Sequence, residues 1–280
     1  MPFSKLKNLM LLILLLVNAI LLSIVIPQRL EVRRQRELTN RRLEELFASY
    51  DLALDSSILP DETLPLTAMQ LEPDSAAALT AAQALLGTDL SAQDDAGRLA
   101  VTYRSGRGTC VVSRGGSFTA ALGEGSSADN LGRAVSRLLS SMGIRAASVS
   151  TPVRKSAGVY EITAVQELSG APVYSSVLTF TFRNGVLRSL SGTVHLTSGS
   201  VTRAESGTCV SCADALTAFL ASRDKLGWVG SSITAVEQGY VRSETASAAV
   251  VRLAPGWRIV TDTGAYWVNG NTREVSALKT

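Results

Sequence analysis

The 280-residue sequence predicts an α+β fold, with an N-terminal transmembrane helix followed by units in which helices cover one face of curved antiparallel sheets. Three observations predict it. Leu9–Ile26 carries no charge and is interrupted only by Asn18 and Ser23. Beyond it, a helix-like segment followed by short alternating runs recurs three times. Between two of those runs stands Asn184-Gly185, a strong two-residue hairpin signal.

Residues 1–8 form a short head bearing Lys5 and Lys7. At about 1.5 Å per residue, residues 9–26 reach roughly 27 Å, close to the hydrocarbon thickness of a bilayer. A cleaved signal peptide wants a shorter apolar core and small residues at its exit. Here the exit is Ile24, Val25, Ile26 and Pro27, so an uncleaved anchor is expected. A soluble helix apolar on every side would need a large core around it. Arg29, Arg33, Arg34, Arg36, Arg41 and Arg42 follow. By the positive-inside rule alone, they keep the body in the cytoplasm.

Residues 27–54 read as a juxtamembrane helical stalk. Leu43, Leu46, Phe47, Tyr50 and Leu54 recur at helical spacing on one face, with Arg41, Arg42, Glu44 and Glu45 opposite. Such a face packs either on the protein's own domain or on a partner's juxtamembrane helix. Asn18 and Ser23 form a second candidate stripe, because helix–helix hydrogen bonds recover about 0.6–2 kcal/mol in hydrocarbon. The candidate partner-binding residues are therefore Asn18, Ser23, Leu43, Leu46, Phe47 and Tyr50.

Residues 55–73, with Pro60, Pro65 and Pro73, read as an extended connector. A first α+β unit spans 74–143. It holds an Ala-rich helix at Ser75–Leu86 closed by Gly87, then strands at Leu99–Arg104, Cys110–Ser113 and Ser117–Leu122. Ala128–Met142 is a helix with Leu131, Val135, Leu138, Leu139 and Met142 on one face. In residues 144–280 the strands expected are Val159–Leu168, Val173–Phe182 and Val186–Leu196. A helix at Cys212–Leu226 follows, and then strands at Ile233–Arg242, Ala248–Leu253, Trp257–Thr261 and Tyr266–Val268, the final pair joined by a turn at Asp262–Gly264.

Charge excludes one class of partner. The first 50 residues hold eight Lys/Arg against four Asp/Glu, which leaves 19 basic and 20 acidic side chains of the 27 and 24 in the whole chain. The basic excess thus lies beside the anchor, where it suits anionic lipid headgroups, and the balanced remainder has no footprint for nucleic acid. Cys209 and Cys212 enclose Val210-Ser211, but the rest of a thioredoxin-like pattern is missing. They read as incidental small residues near a helix start or as a local disulfide, with Cys110 left over.

Serine-hydrolase, zincin, P-loop and dinucleotide motifs are all absent. Ser222 and Lys225 fit S-x-x-K without its companion motifs, on a helix where such residues are ordinary surface groups. His195, between Val194 and Leu196, reads as a surface residue of a strand, and Trp257 and Trp267 as sheet packing or as the lining of a groove. No catalytic residue, cofactor or metal site is expected.

Three stretches carry a resemblance. The opening PFSKLKNLMLLILLLVNAILL resembles the N-terminus of YycI-type proteins. GAPVYSSVLTFTFRNGVLRSLSG is similar to that family's Gly-x-Pro-Val strand, Asn-Gly turn and returning strand. PGWRIVTDTGAYWVNGNTREV is similar to the family's end and to PepSY modules, departing at Asn271-Thr272. By order of parts the resemblance spans nearly the whole chain, and its motifs belong to the fold rather than to catalysis. It implies PepSY-like units and an extracytoplasmic body, against the charge rule. It also implies a membrane-anchored accessory protein that regulates a cell-envelope sensor histidine kinase by contact, together with a YycH-type sister protein. A second reading is a PepSY-like inhibitor or chaperone of an envelope peptidase. A third is a thiol oxidoreductase using Cys209 and Cys212.

Overall fold

The computed structural model describes residues 3–60, 62–95, 97, 99–123, 127–197, 201–203, 209–243 and 250–278. Its first element is one 46-residue helix, α1 (Phe3–Ala48), which runs from the apolar segment through Pro27 into the stalk. Among the described residues no helix is long and apolar enough to cross a membrane. The expected transmembrane helix is corrected accordingly.

A 3-10 turn (Ser56–Ile58) capped by Asp55 leads to β1 (Met69–Leu71), a short strand inside the expected connector. α2 (Ser75–Leu86) starts where the Asp74 carboxylate accepts from the amides of Ala76 and Ala77, and it stops at Gly87. Four strands follow, β2 (Ser91–Asp95), β3 (Ala100–Ser105), β4 (Gly108–Ser113) and β5 (Ser117–Leu122). Asn130 caps α3 (Leu131–Ser141) by accepting from Arg133 N. Six more strands are β6 (Ala146–Val149), β7 (Val153–Ser156), β8 (Val159–Leu168), β9 (Ala171–Arg183), β10 (Val186–Thr193) and β11 (Val201–Arg203). After α4 (Cys212–Ala221) and the single turn α5 (Arg223–Leu226) come β12 (Ile233–Ser243), β13 (Val251–Thr261), β14 (Ala265–Asn269) and β15 (Val275–Ala277). The hairpin at Asn184-Gly185 joins β9 to β10 with φ of 51° and 78°, the left-handed pair that a two-residue turn demands.

These elements do not fold as successive helix-plus-meander units, so the expected α+β architecture is also corrected. The fold is mixed α/β, with all strands of the described residues in one 15-stranded sheet. Its main path runs β11-β1-β13-β12-β9-β10-β5-β4-β3-β2. Long strands that divide an edge between two neighbours make this continuity. β9 pairs β8 along its length, yet meets β10 over Leu178–Arg183 and β12 at Val173. β13 likewise pairs β12, and then both β1 and β14. The boundary expected near residue 143 is crossed by β5 and β10, paired over Ser117–Ala121 and Ser189–Thr193.

Sequence reading splits β13 at Pro255-Gly256, whereas the strand passes straight through. Pro255 O accepts from Gly270 N at 2.8 Å, so its carbonyl faces the β14 edge, and its nitrogen faces the same way. There β13 changes partner from β1, last paired at Leu253, to β14, first paired at Gly256. A missing N–H at that gap removes no ladder bond.

The two halves of the sheet meet where β12 runs parallel to β9, with Tyr240 opposite Val173. Gly239 permits the approach: a Cβ there would stand 2.5 Å from Pro172 O. Since the obstacle is backbone, Gly239→Ala is expected to cost about 1–3 kcal/mol, read as a lower urea midpoint at unchanged slope. An unchanged midpoint would mean that the two halves are not held this closely.

Three cores result. The first lies between α2, α3 and the sheet and contains Ala81, Phe118, Val135 and Phe180. The second joins the end of α1 to α4 and to β12–β14 through Phe47, Leu216, Phe219 and Trp257. A smaller third core, with Met69, Val173, Tyr240 and Leu253, fills the parallel junction.

Candidate interaction site on the N-terminal helix

The end of α1 is fastened to the body at several independent points. Leu43 is 6% exposed and Phe47 0%, both within the second core, while Leu46 packs on its margin. Polar contacts fix the helix from the outside. Arg36 Nη2 donates to Pro60 O, and Glu44 Oε1 accepts from Ser56 N at 2.8 Å. Hydrogen bonds from Ser56 hold the Glu44 carboxyl below its ordinary pKa. Beyond the helix, Ala53 N donates to Ser231 O and Ala53 O accepts from Ile233 N, adding a bridge to the start of β12. Gln238 clamps the connector by exchanging two bonds with the Leu64 backbone, at 2.7 and 2.9 Å.

The predicted partner residues therefore separate. Leu43 and Phe47 are used by the protein's own core, with Leu46 half-buried beside them. Tyr50 lies past the helix end and is 51% exposed, its backbone oxygen accepting from Arg223. Asn18 is exposed on α1 among Met10–Val17, Ile20 and Leu21, every one of them exposed. Ser23 has a side chain outside the described residues. Between these ends α1 shows solvated charges, with Glu31, Arg34, Glu37, Arg41 and Arg42 exposed. The geometry is a rod with one end embedded in the body and the other offering an uncovered apolar surface with one amide in it.

Elsewhere the chemistry is structural. His195 is buried at 5% exposure, contrary to the expected surface position. Its backbone is bound by Gln166, whose Oε1 accepts from His195 N and from Ser176 Oγ and whose Nε2 donates to His195 O, all at 2.8–2.9 Å. This network fills the irregularity between Val165 and Gln166 where β8 leaves register with β9. His195 Nε2 is buried without a partner among the described residues. Burial, and secondarily the charge of Arg242, lowers its pKa to about 4, so the ring is neutral at pH 7. A cavity of about 370 Å³ lies beside it, rimmed by Glu72, Asp74, Asp94 and Arg114.

All three cysteines are free thiols. Burial pushes Cys110 and Cys212 up to about 12 and raises Cys209, so they stay protonated and are poor nucleophiles. Among the described residues no cluster of His, Cys, Asp and Glu could hold a metal ion. Trp257 is fully buried and donates to Val210 O at 2.8 Å, and Trp267 packs edge-on to Tyr174 at 6.2 Å, so these rings are packing and not a groove lining. Ser222 of the S-x-x-K tetrad sits at the join of α4 and α5, where its amide completes the end of α4. A search of family models and of curated proteins finds no match to this chain.

Proposed function

We propose that this protein is an accessory regulator of a cell-envelope sensor histidine kinase and acts by contact rather than by catalysis. One observation carries the reading: a single helix has its end locked into the second core and, some twenty residues earlier, an apolar surface that is exposed among the described residues. The likeness of the opening, central and closing segments to YycI-type proteins supports the same reading. In this mechanism the exposed turns of α1 lie against the kinase's membrane-proximal helices, and the body works outside the cytoplasm. Since Phe47 and Leu43 fix α1 in the body, a displacement at one end moves the other. Such a contact biases the kinase only as far as it binds one of its two states more tightly.

Asn18→Leu is the direct test, because it keeps the segment apolar and removes the amide that stands among Met10–Val17, Ile20 and Leu21. Co-purification of the full chain with the kinase is expected to fall severalfold, consistent with the loss of about 1 kcal/mol from one hydrogen bond. Recovery equal to wild type would show that the helix carries no specific contact.

A further inference from the structure

We propose that a groove between α2 and α3, well away from α1, binds a single-chain anionic amphiphile through three arginines at its mouth. The groove encloses about 800 Å³, within the range of small-molecule sites. Its floor is the first core itself, formed by Leu85, Leu122, Val135, Leu138, Phe182 and Leu187. Arg107, Arg133 and Arg137 line it and are exposed, and none of their guanidinium groups is in an ion pair among the described residues. Asp129 is the one carboxylate in the lining, leaving a net positive site.

The chemistry of the occupant follows from both surfaces together. Guanidinium forks match the oxygens of a phosphate or carboxylate head in paired hydrogen bonds. A bare anion, however, leaves the apolar floor uncovered, and an apolar molecule without charge leaves the arginines unused. A ligand with one anionic head and one hydrocarbon chain satisfies both. The cationic side chains come from two places: Arg133 and Arg137 stand one turn apart on α3, and Arg107 arrives from the β3–β4 turn. The Arg107 guanidinium lies beside Gly87, where a Cβ would stand 3.7 Å from its Nη1. It therefore reaches the groove over the end of α2. Nothing in the sequence spacing announces this convergence.

The test uses the full chain in a non-ionic detergent, with dodecyl phosphate, dodecanol or inorganic phosphate added and the retained adducts counted by native mass spectrometry. One dodecyl phosphate per chain is expected, with at least tenfold less retention of dodecanol or of inorganic phosphate. The triple variant R107S/R133S/R137S, altered only at exposed side chains, is expected to lose at least tenfold of the dodecyl phosphate signal. Ala134→Trp, which keeps the arginines and fills the groove, is expected to do the same. Equal retention of dodecanol, or retention unaffected by the arginine changes, would overturn the proposal, since adsorption on the apolar part of α1 depends on neither. Arginine-dependent binding of an oligoglutamate peptide without binding of dodecyl phosphate would also overturn it, and would make the groove a protein contact.

Discussion

Replacing Phe47 with alanine is expected to destabilise the fold by about 3–5 kcal/mol, a large part of the stability of a domain of this size. The ring is wholly buried and belongs to the same cluster as Leu216, Phe219, Trp228 and Trp257. Its removal leaves a cavity where the body meets α1, in a core whose other large members include Trp257, held by its bond to Val210 O. The backbone bonds from the amides of Tyr50 and Leu52 to Phe47 O, made as the chain turns back, survive the substitution, so the loss is one of side-chain packing. Urea unfolding should show a lower midpoint, and limited proteolysis faster cutting between residues 49 and 60. Tyr50→Ala, at an exposed ring two residues past the helix, should change stability by no more than about 0.5 kcal/mol. Equal effects of the two substitutions would contradict the assignment of Phe47 to the core.

Acidification is expected to weaken the fold through His195. Its pKa in the folded chain is about 4, below the ordinary value of 6.5. Between these values the unfolded chain holds the extra proton. Stability is therefore complete above about pH 6.5 and is lost as pH falls toward 4, by about 3 kcal/mol at most. The charge finds no relief among the described residues: Nε2 has no partner there and Arg242, fixed by its bond to Gly115 O at 2.7 Å, repels a second cation. His195→Leu should flatten this part of the stability–pH curve while sparing the Gln166 network, which uses only the backbone of residue 195. A curve of the same shape in the variant would show that other groups set the acid sensitivity.

Parts of this architecture were legible without coordinates. The helix at Ser75–Leu86 and the strands at Ser117–Leu122 and Val159–Leu168 have the residues expected, because apolar periodicity and flanking turn residues agree there. The apolar face of Leu43 and Phe47 was visible too, though not which surface it meets. Other features depend on distant pairing. β2, Ser91–Asp95, is exposed at every position and has no alternation to read, and β1 is three residues among prolines. The burial of His195 depends on Gln166, 29 residues away, and the union of the sheet on the space that Gly239 leaves for Pro172. The transmembrane expectation rested on a run of letters. The described side chains of that run are an uncovered part of a longer helix.

The central claim is that α1 couples its exposed apolar turns rigidly to the body. Inserting two glycines between Thr39 and Asn40, both on α1, breaks the rod and displaces Arg36 from Pro60 O, while the buried contacts of Leu43 and Phe47 stay on the body side of the break. Glycine costs roughly 1 kcal/mol per position in a helix interior. The measurement is autophosphorylation of the sensor kinase in membranes containing either form. The account predicts that the insertion abolishes regulation while co-purification with the kinase persists. Regulation of wild-type strength across the broken helix would contradict it.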